Sequence, residues 1–282
     1  MVGSWTNIAE LSDRSRYIVL SQTSSNGHVH DTLMARQRHL PHAPITEALI
    51  DVHVEPRHDL TFPALQQTIA TPEFGYYVKN SISQGTFAFK LTLDGAQPQT
   101  TAEASQIGLR LHSDDEKYVA QCRLSGFTLS RLRPYEEWSN LIREAKRVWA
   151  IYTERLTPVR VTRVATRFIN NLQLPMHLGA SFQEYLHKLV DVPDEAPQAV
   201  ASFLQRFQLV DVQSNALVNL TLALESTPIF GPAPVVLDVD AFIVKDLDPE
   251  HEELWVILEH LRALKNQCFF GSLTERAAKL YE

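Results

Sequence analysis

The stretch Ile45-Thr-Glu-Ala-Leu-Ile-Asp-Val-His-Val-Glu55 puts Thr46, Ala48, Ile50, Val52 and Val54 on one side of an extended chain and Glu47, Leu49, Asp51, His53 and Glu55 on the other. Only a strand sends successive side chains to opposite sides, so this run predicts a half-buried strand with one apolar and one titratable face. Further strand patterns cover residues 77–93, 106–111, 118–132, 160–172, 209–225 and 235–244, with Ser113-Asp-Asp-Glu-Lys117 as a hairpin connection. Strands that arrive in runs, without strict βαβ alternation, predict an α+β fold: a long antiparallel or mixed sheet, helices packed on one face, and an element order that suggests two similar halves.

The strongest helical pattern spans residues 135–155, where Trp138, Leu141, Ile142, Ala145, Val148, Trp149 and Tyr152 recur at three- and four-residue steps. Shorter helices are expected over 60–70, 181–190 and 198–207, the second from Ser181 as cap and Glu184 at the capping-box position. The last quarter reads as two helices, 249–265 and 272–281, with Leu254, Ile257, Leu258, Leu261 and Leu264 as the apolar seam. Residues 1–36 are rich in Ser, Thr, Asn and Asp and read as an N-terminal extension; residues 37–282 read as one domain whose sub-halves meet near 175–197.

Composition narrows the chemistry. A hydrophobic fraction of 44% and a charged fraction of 21% are those of a globular chain with a sizeable core. The formal charge of −7 gives no long-range attraction to nucleic acid, so an RNA role through Arg131, Arg133, Arg143, Lys146 and Arg147 would work against the global field. Cys122 and Cys268 stand alone in apolar contexts and are expected to be free thiols in a reducing compartment, the cytoplasm; thiolate zinc sites are excluded. There is no glycine-rich phosphate loop, no Gly-x-Ser-x-Gly elbow, and no apolar run of bilayer-spanning length.

Three groups of residues could carry chemistry. Arg163 and Arg167 share a strand face with the small Ala165 between them, a geometry that grips a phosphate or carboxylate and equally suits ion pairing with Glu47 or Asp238 across a sheet. Glu47 and Asp51 on the first strand, with Asp238 and Asp240 in Leu237-Asp-Val-Asp240, could share a magnesium ion if their faces converge. Arg131, in Gly126-Phe-Thr-Leu-Ser-Arg-Leu-Arg-Pro-Tyr135, is a further anion-binding candidate, and Gly126 within a strand predicts the close approach of another backbone.

Taken in order, Leu40-Pro-His-Ala-Pro-Ile-Thr-Glu-Ala-Leu-Ile-Asp51, Gly126-Phe-Thr-Leu-Ser-Arg-Leu-Arg-Pro-Tyr-Glu-Glu-Trp138, Arg163-x-x-x-Arg-x-Ile-Asn170 and Leu237-Asp-Val-Asp240 resemble a sporadically distributed family of uncharacterised bacterial proteins of about this size. The resemblance covers residues 38–280. It implies a bacterial cytoplasmic protein and supplies no residue roles. The expected function is that of a ligand-binding or protein-interaction component of a genetic module, holding a protein partner or an anionic small ligand. The alternative is a magnesium-dependent enzyme acting on a phosphate-containing substrate. Unpaired strand edges make a homodimer a reasonable expectation.

Overall fold

A computed structural model describes residues 33–90, 99–176, 181–188, 192–193, 195–197, 199–226 and 231–282. The expected extension therefore lies outside the described residues up to position 32, as do parts of the expected junction between sub-halves. The described residues form one compact unit. Packing begins ahead of position 37: Ala35 is buried, its amide donates to the Leu273 carbonyl, and Arg38 bridges Glu275 and Glu282.

The elements run β1 (Ile45–Glu55), α1 (Phe62–Ile69), β2 (Tyr77–Lys90), β3 (Gln99–His112), β4 (Tyr118–Arg123), β5 (Gly126–Leu132), α2 (Trp138–Leu156), β6 (Arg160–Leu174), β7 (Phe203–Asp211), β8 (Ala216–Leu224), β9 (Ala233–Leu247), α3 (Glu253–Gly271) and α4 (Glu275–Ala278). The strands form one nine-stranded sheet in the order β2-β3-β4-β5-β1-β6-β9-β8-β7, and every neighbouring pair is antiparallel. This is the expected α+β architecture. Each half opens with a strand at the sheet centre, β1 or β6, crosses to an outer edge and meanders back beside its opening strand. Each then closes with a long helix, α2 or α3.

The helices cover one face. On β1 the residues Ala48, Ile50, Val52 and Val54 point into the core, and full burial of each isoleucine or valine side chain among them stabilises by roughly 1.5–3 kcal/mol. Phe168 of β6 joins both long helices to the sheet: it stands edge-on to Tyr135, packs on Trp138 at the start of α2, and lies under Lys265 of α3. Trp149 and Tyr152 of α2 pack on Phe127 of β5, while Arg155 donates to the Thr68 carbonyl and to Thr71, tying α1 to α2.

Four expectations are corrected. The stretch 209–225, read as one strand, divides between two, β7 and β8, paired as a hairpin that turns after Asp211. Residues 118–132 fold as the hairpin β4–β5, turning at Leu124 and Ser125. Residues 203–207, expected in a helix, belong to the edge strand β7, whose ladder to β8 runs from Phe203↔Leu224 to Asp211↔Ala216. Among the described residues of 181–190 only Phe182–Glu184 forms a short 3-10 turn, because the following backbone bonds elsewhere: Thr274 donates to the Tyr185 carbonyl, and His187 to that of Ser272. The capping box does not form, since Ser181 hydrogen-bonds Gln183 and Glu184 pairs with Arg276. Gly126 behaves as expected: a Cβ there would sit 2.6 Å from the Val52 carbonyl oxygen.

Candidate functional site

Register determines which candidate residues meet. Asp51 lies opposite Thr128 of β5 and Ala165 of β6, His53 lies opposite Arg163, and Arg167 opposite Asp240. These residues therefore share the sheet face turned away from α2 and α3. Asp51 accepts hydrogen bonds from Arg123 (2.8 Å), Thr128 (2.6 Å) and Arg163 (2.9 Å), and its carboxylate lies 3.0 Å from His53 Nε2. Burial by itself would raise the Asp51 pKa; the hydrogen bond from His53, the Arg123 charge and the Thr128 hydroxyl outweigh it and hold the carboxyl well below its ordinary range.

Arg163 reaches on to Asp240 at 3.5 Å, and Asn219 donates to the same carboxylate. Arg167 grips Asp238 with a two-pronged bond, at 2.9 and 2.6 Å. The result is a chain of alternating charge drawn from four strands, Arg123–Asp51–Arg163–Asp240, with Arg167–Asp238 beside it. Glu47 shares the face at the other end of β1, opposite Leu132 and Ile169.

Such a row is neutralised from within. An incoming anion would have to displace Asp51 or Asp238 from the arginines, and a magnesium ion would have to displace the arginines from the carboxylates. Among the described residues, no group of three or more His, Cys, Asp or Glu is placed to hold a metal ion. Arg131 does not join Arg163 and Arg167. It lies opposite Ala48 on the helix face, buried, with its guanidinium over the Tyr118 ring and one bond to Glu136.

The helix face holds a different site. A cavity of about 390 Å³ lies between the segment 37–45, the turn 135–138 that opens α2, Asn170 of β6, and the second half of α3. Its walls carry Leu40, Ala43, Ile45, Tyr135, Trp138 and Phe269 together with Glu136, Glu137, Arg262, Lys265 and Asn266. Trp138 donates to Glu259, and Arg262 stacks on the Trp138 ring. Asn170 is fully buried and donates to the Leu237 carbonyl, which anchors β9 beneath the cavity.

Lys265 is the unusual member. It is 8% exposed, its Nζ donates to Asn266 Oδ1 at 2.7 Å and lies 3.5 Å from the centre of the Phe168 ring. Among the described residues no carboxylate pairs with it. Burial, with a smaller contribution from the Arg262 charge, pushes its pKa down from 10.5 to about 7. The ring face below the ammonium offers some attraction, but it does not replace a hydration shell or a counter-ion.

Sequence reasoning passed over this site, although the sequence contains one signal for it. Lys265 continues the spacing Leu254, Leu258, Leu261 at the next core position of α3, where an apolar residue is expected. Among the described residues no helix is long and apolar enough to cross a membrane. No protein-family model matches the chain, and no curated protein matches it.

Proposed function

We propose that the chain is a ligand-binding protein and that its ligand is a small anion held in the cavity between segment 37–45, the start of α2 and α3. The observation that carries this reading is a lysine amine nine-tenths buried on a cavity wall with no carboxylate partner among the described residues, one helical turn from Arg262. A buried charge is ordinarily paired, because the unpaired ion loses several kcal/mol of hydration. A carboxylate or phosphate in the cavity supplies the missing partner, while the aromatic and aliphatic walls shelter its body.

The Arg163/Arg167 row gives weaker support for the same activity, since both guanidinium groups already meet carboxylates. The magnesium-dependent alternative has less support again, because Asp51, Asp238 and Asp240 each meet an arginine. The segment resemblance adds the proposal that the protein is bacterial and cytoplasmic, and we further propose that its binding serves a genetic module.

Thermal unfolding in orthophosphate, a nucleoside monophosphate and succinate, at matched ionic strength, tests the reading. At least one of them is expected to raise the Tm of the wild-type protein and leave Lys265→Met unmoved, as mass action on a site-specific ligand requires. Equal shifts in both proteins, or none in either, would remove the cavity as the binding site.

A further inference from the structure

Resting on that reading of the cavity, we infer that its ligand is a carbonyl compound bearing a carboxylate or phosphate, which Lys265 captures as a reversible imine while Arg262 holds the anionic end. The geometry is that of a positioned amine. Asn266 Oδ1 accepts one hydrogen bond from Nζ at 2.7 Å, and the Phe168 ring lies 3.5 Å away. Arg262 stands three residues earlier on α3, so the two side chains are neighbours along the helix, and both line the cavity. A chamber of about 390 Å³ accommodates a compact oxo acid or a small phosphorylated aldehyde.

Burial and the nearby guanidinium together bring the amine close to neutrality at physiological pH, which is how lysines that attack carbonyls are activated. The bonding balances without any further reagent. The Nζ lone pair adds to the carbonyl carbon, and the carbonyl oxygen takes up a proton to give a carbinolamine. Both amine hydrogens then depart with that oxygen as one water molecule, leaving the C=N bond. Addition of water reverses the step and releases the ligand unchanged. The same burial that makes the free ammonium costly favours a neutral imine in its place.

Glyoxylate is the probe, being an aldehyde and a carboxylate at once, with cyanoborohydride to convert any imine into a stable secondary amine. Peptide mapping then reads the rate of modification at Lys265 against that at Lys117, whose side chain is 41% exposed. Near neutral pH, Lys265 is expected to react roughly tenfold faster or more, because burial beside the cavity and the Arg262 charge favour its neutral form. Arg262→Ala is expected to slow Lys265 several-fold and leave Lys117 alone; equal Lys265 rates in the two proteins would remove Arg262 from the mechanism. A Lys265 rate no greater than that of Lys117, while orthophosphate, the nucleoside monophosphate or succinate still raises the Tm of the wild-type protein and not that of Lys265→Met, overturns the imine and leaves the anion site standing. Failure of both measurements overturns both readings.

Discussion

Replacing Lys265 by methionine should stabilise the protein, and by an amount that depends on pH in a calculable way. The ammonium titrates at 10.5 when exposed and at about 7 in the fold, so the unfolded chain binds the extra proton throughout that interval. Stability therefore rises as pH increases from about 7 toward 10.5, and the full penalty is present below about 7. At about 1.4 kcal/mol for each unit of pKa, the full difference is worth about 5 kcal/mol. Between about pH 6.5 and about pH 9 the wild-type protein should recover about 2.5 kcal/mol of it. Methionine matches the length of the stem, keeps contact with Phe168 and titrates nowhere. It forgoes the bond to Asn266, a loss of about 1 kcal/mol that is the same at every pH. The assay is urea unfolding of both proteins across that range. The advantage of Lys265→Met should be largest near pH 6.5 and shrink by about 2.5 kcal/mol at about pH 9, other titrating groups cancelling in the difference. A difference independent of pH would show that the amine is solvated or paired in the fold, and the cavity would lose its distinguishing charge.

Other substitutions separate the strong interactions from the weak ones. Asp51→Ala leaves Arg123 and Arg163 facing each other on a half-buried surface and should cost about 2–4 kcal/mol in urea unfolding at neutral pH. Because the folded Asp51 carboxyl is held below its ordinary value of 3.8, its contribution is present above that pH and lost as pH falls below it; Asp51→Asn should therefore flatten the acid limb of the stability profile. The Arg167–Asp238 pair, with Arg167 at 43% exposure, should show a coupling of only about 0.5–1 kcal/mol in a double-mutant cycle with alanine, and a value above that of Asp51–Arg163 would invert the proposed ranking. Gly126→Ala places a methyl 2.6 Å from the Val52 carbonyl oxygen, so β1 and β5 must separate; a loss of about 1–3 kcal/mol is expected by chemical denaturation.

How far the sequence discloses this molecule depends on whether an element has two different faces. β1 is legible to the residue because one side is core and the other carries charge. β5 is not separable from β4 by pattern, because Gly126 to Arg131 are all buried and alternation of polarity weakens where both faces are covered. β7 fails for the opposite reason: at the sheet edge Leu204, Phe207, Leu209 and Val210 are all exposed, and the four-residue step from Phe203 to Phe207 imitates a helix. Arg163 and Arg167 could be assigned to one face from their spacing, and so could Asp238 and Asp240, since period two is local. Whether those rows bind a ligand or each other could not be read, because that depends on pairing between strands far apart in sequence. Lys265 was harder still. Its ammonium rests on Phe168, nearly a hundred residues upstream, and a lysine in a helix is ordinarily an exposed one.

The two polar systems therefore have different physical roles, divided by the sheet. On the open face the charges are matched in place, and the matching depends on register: a slip of one residue between β1 and β6 would turn Asp51 or Arg163 toward the core and separate the pair. Ala165 between the two arginines leaves room for the diagonal reach from Arg163 to Asp51. Because β1 opens one half of the sheet and β6 the other, this pairing fixes how the halves join, and it does so with each arginine already committed. On the helix face, by contrast, Lys265 is ordered by Asn266 and Phe168 and has no carboxylate partner among the described residues. A polar group already satisfied by its neighbours supports structure; one held rigidly beside a cavity and left uncompensated is where a ligand gains free energy on arrival. The same argument that turns the conspicuous arginine row into a fastening makes the unremarked lysine the place to look for chemistry.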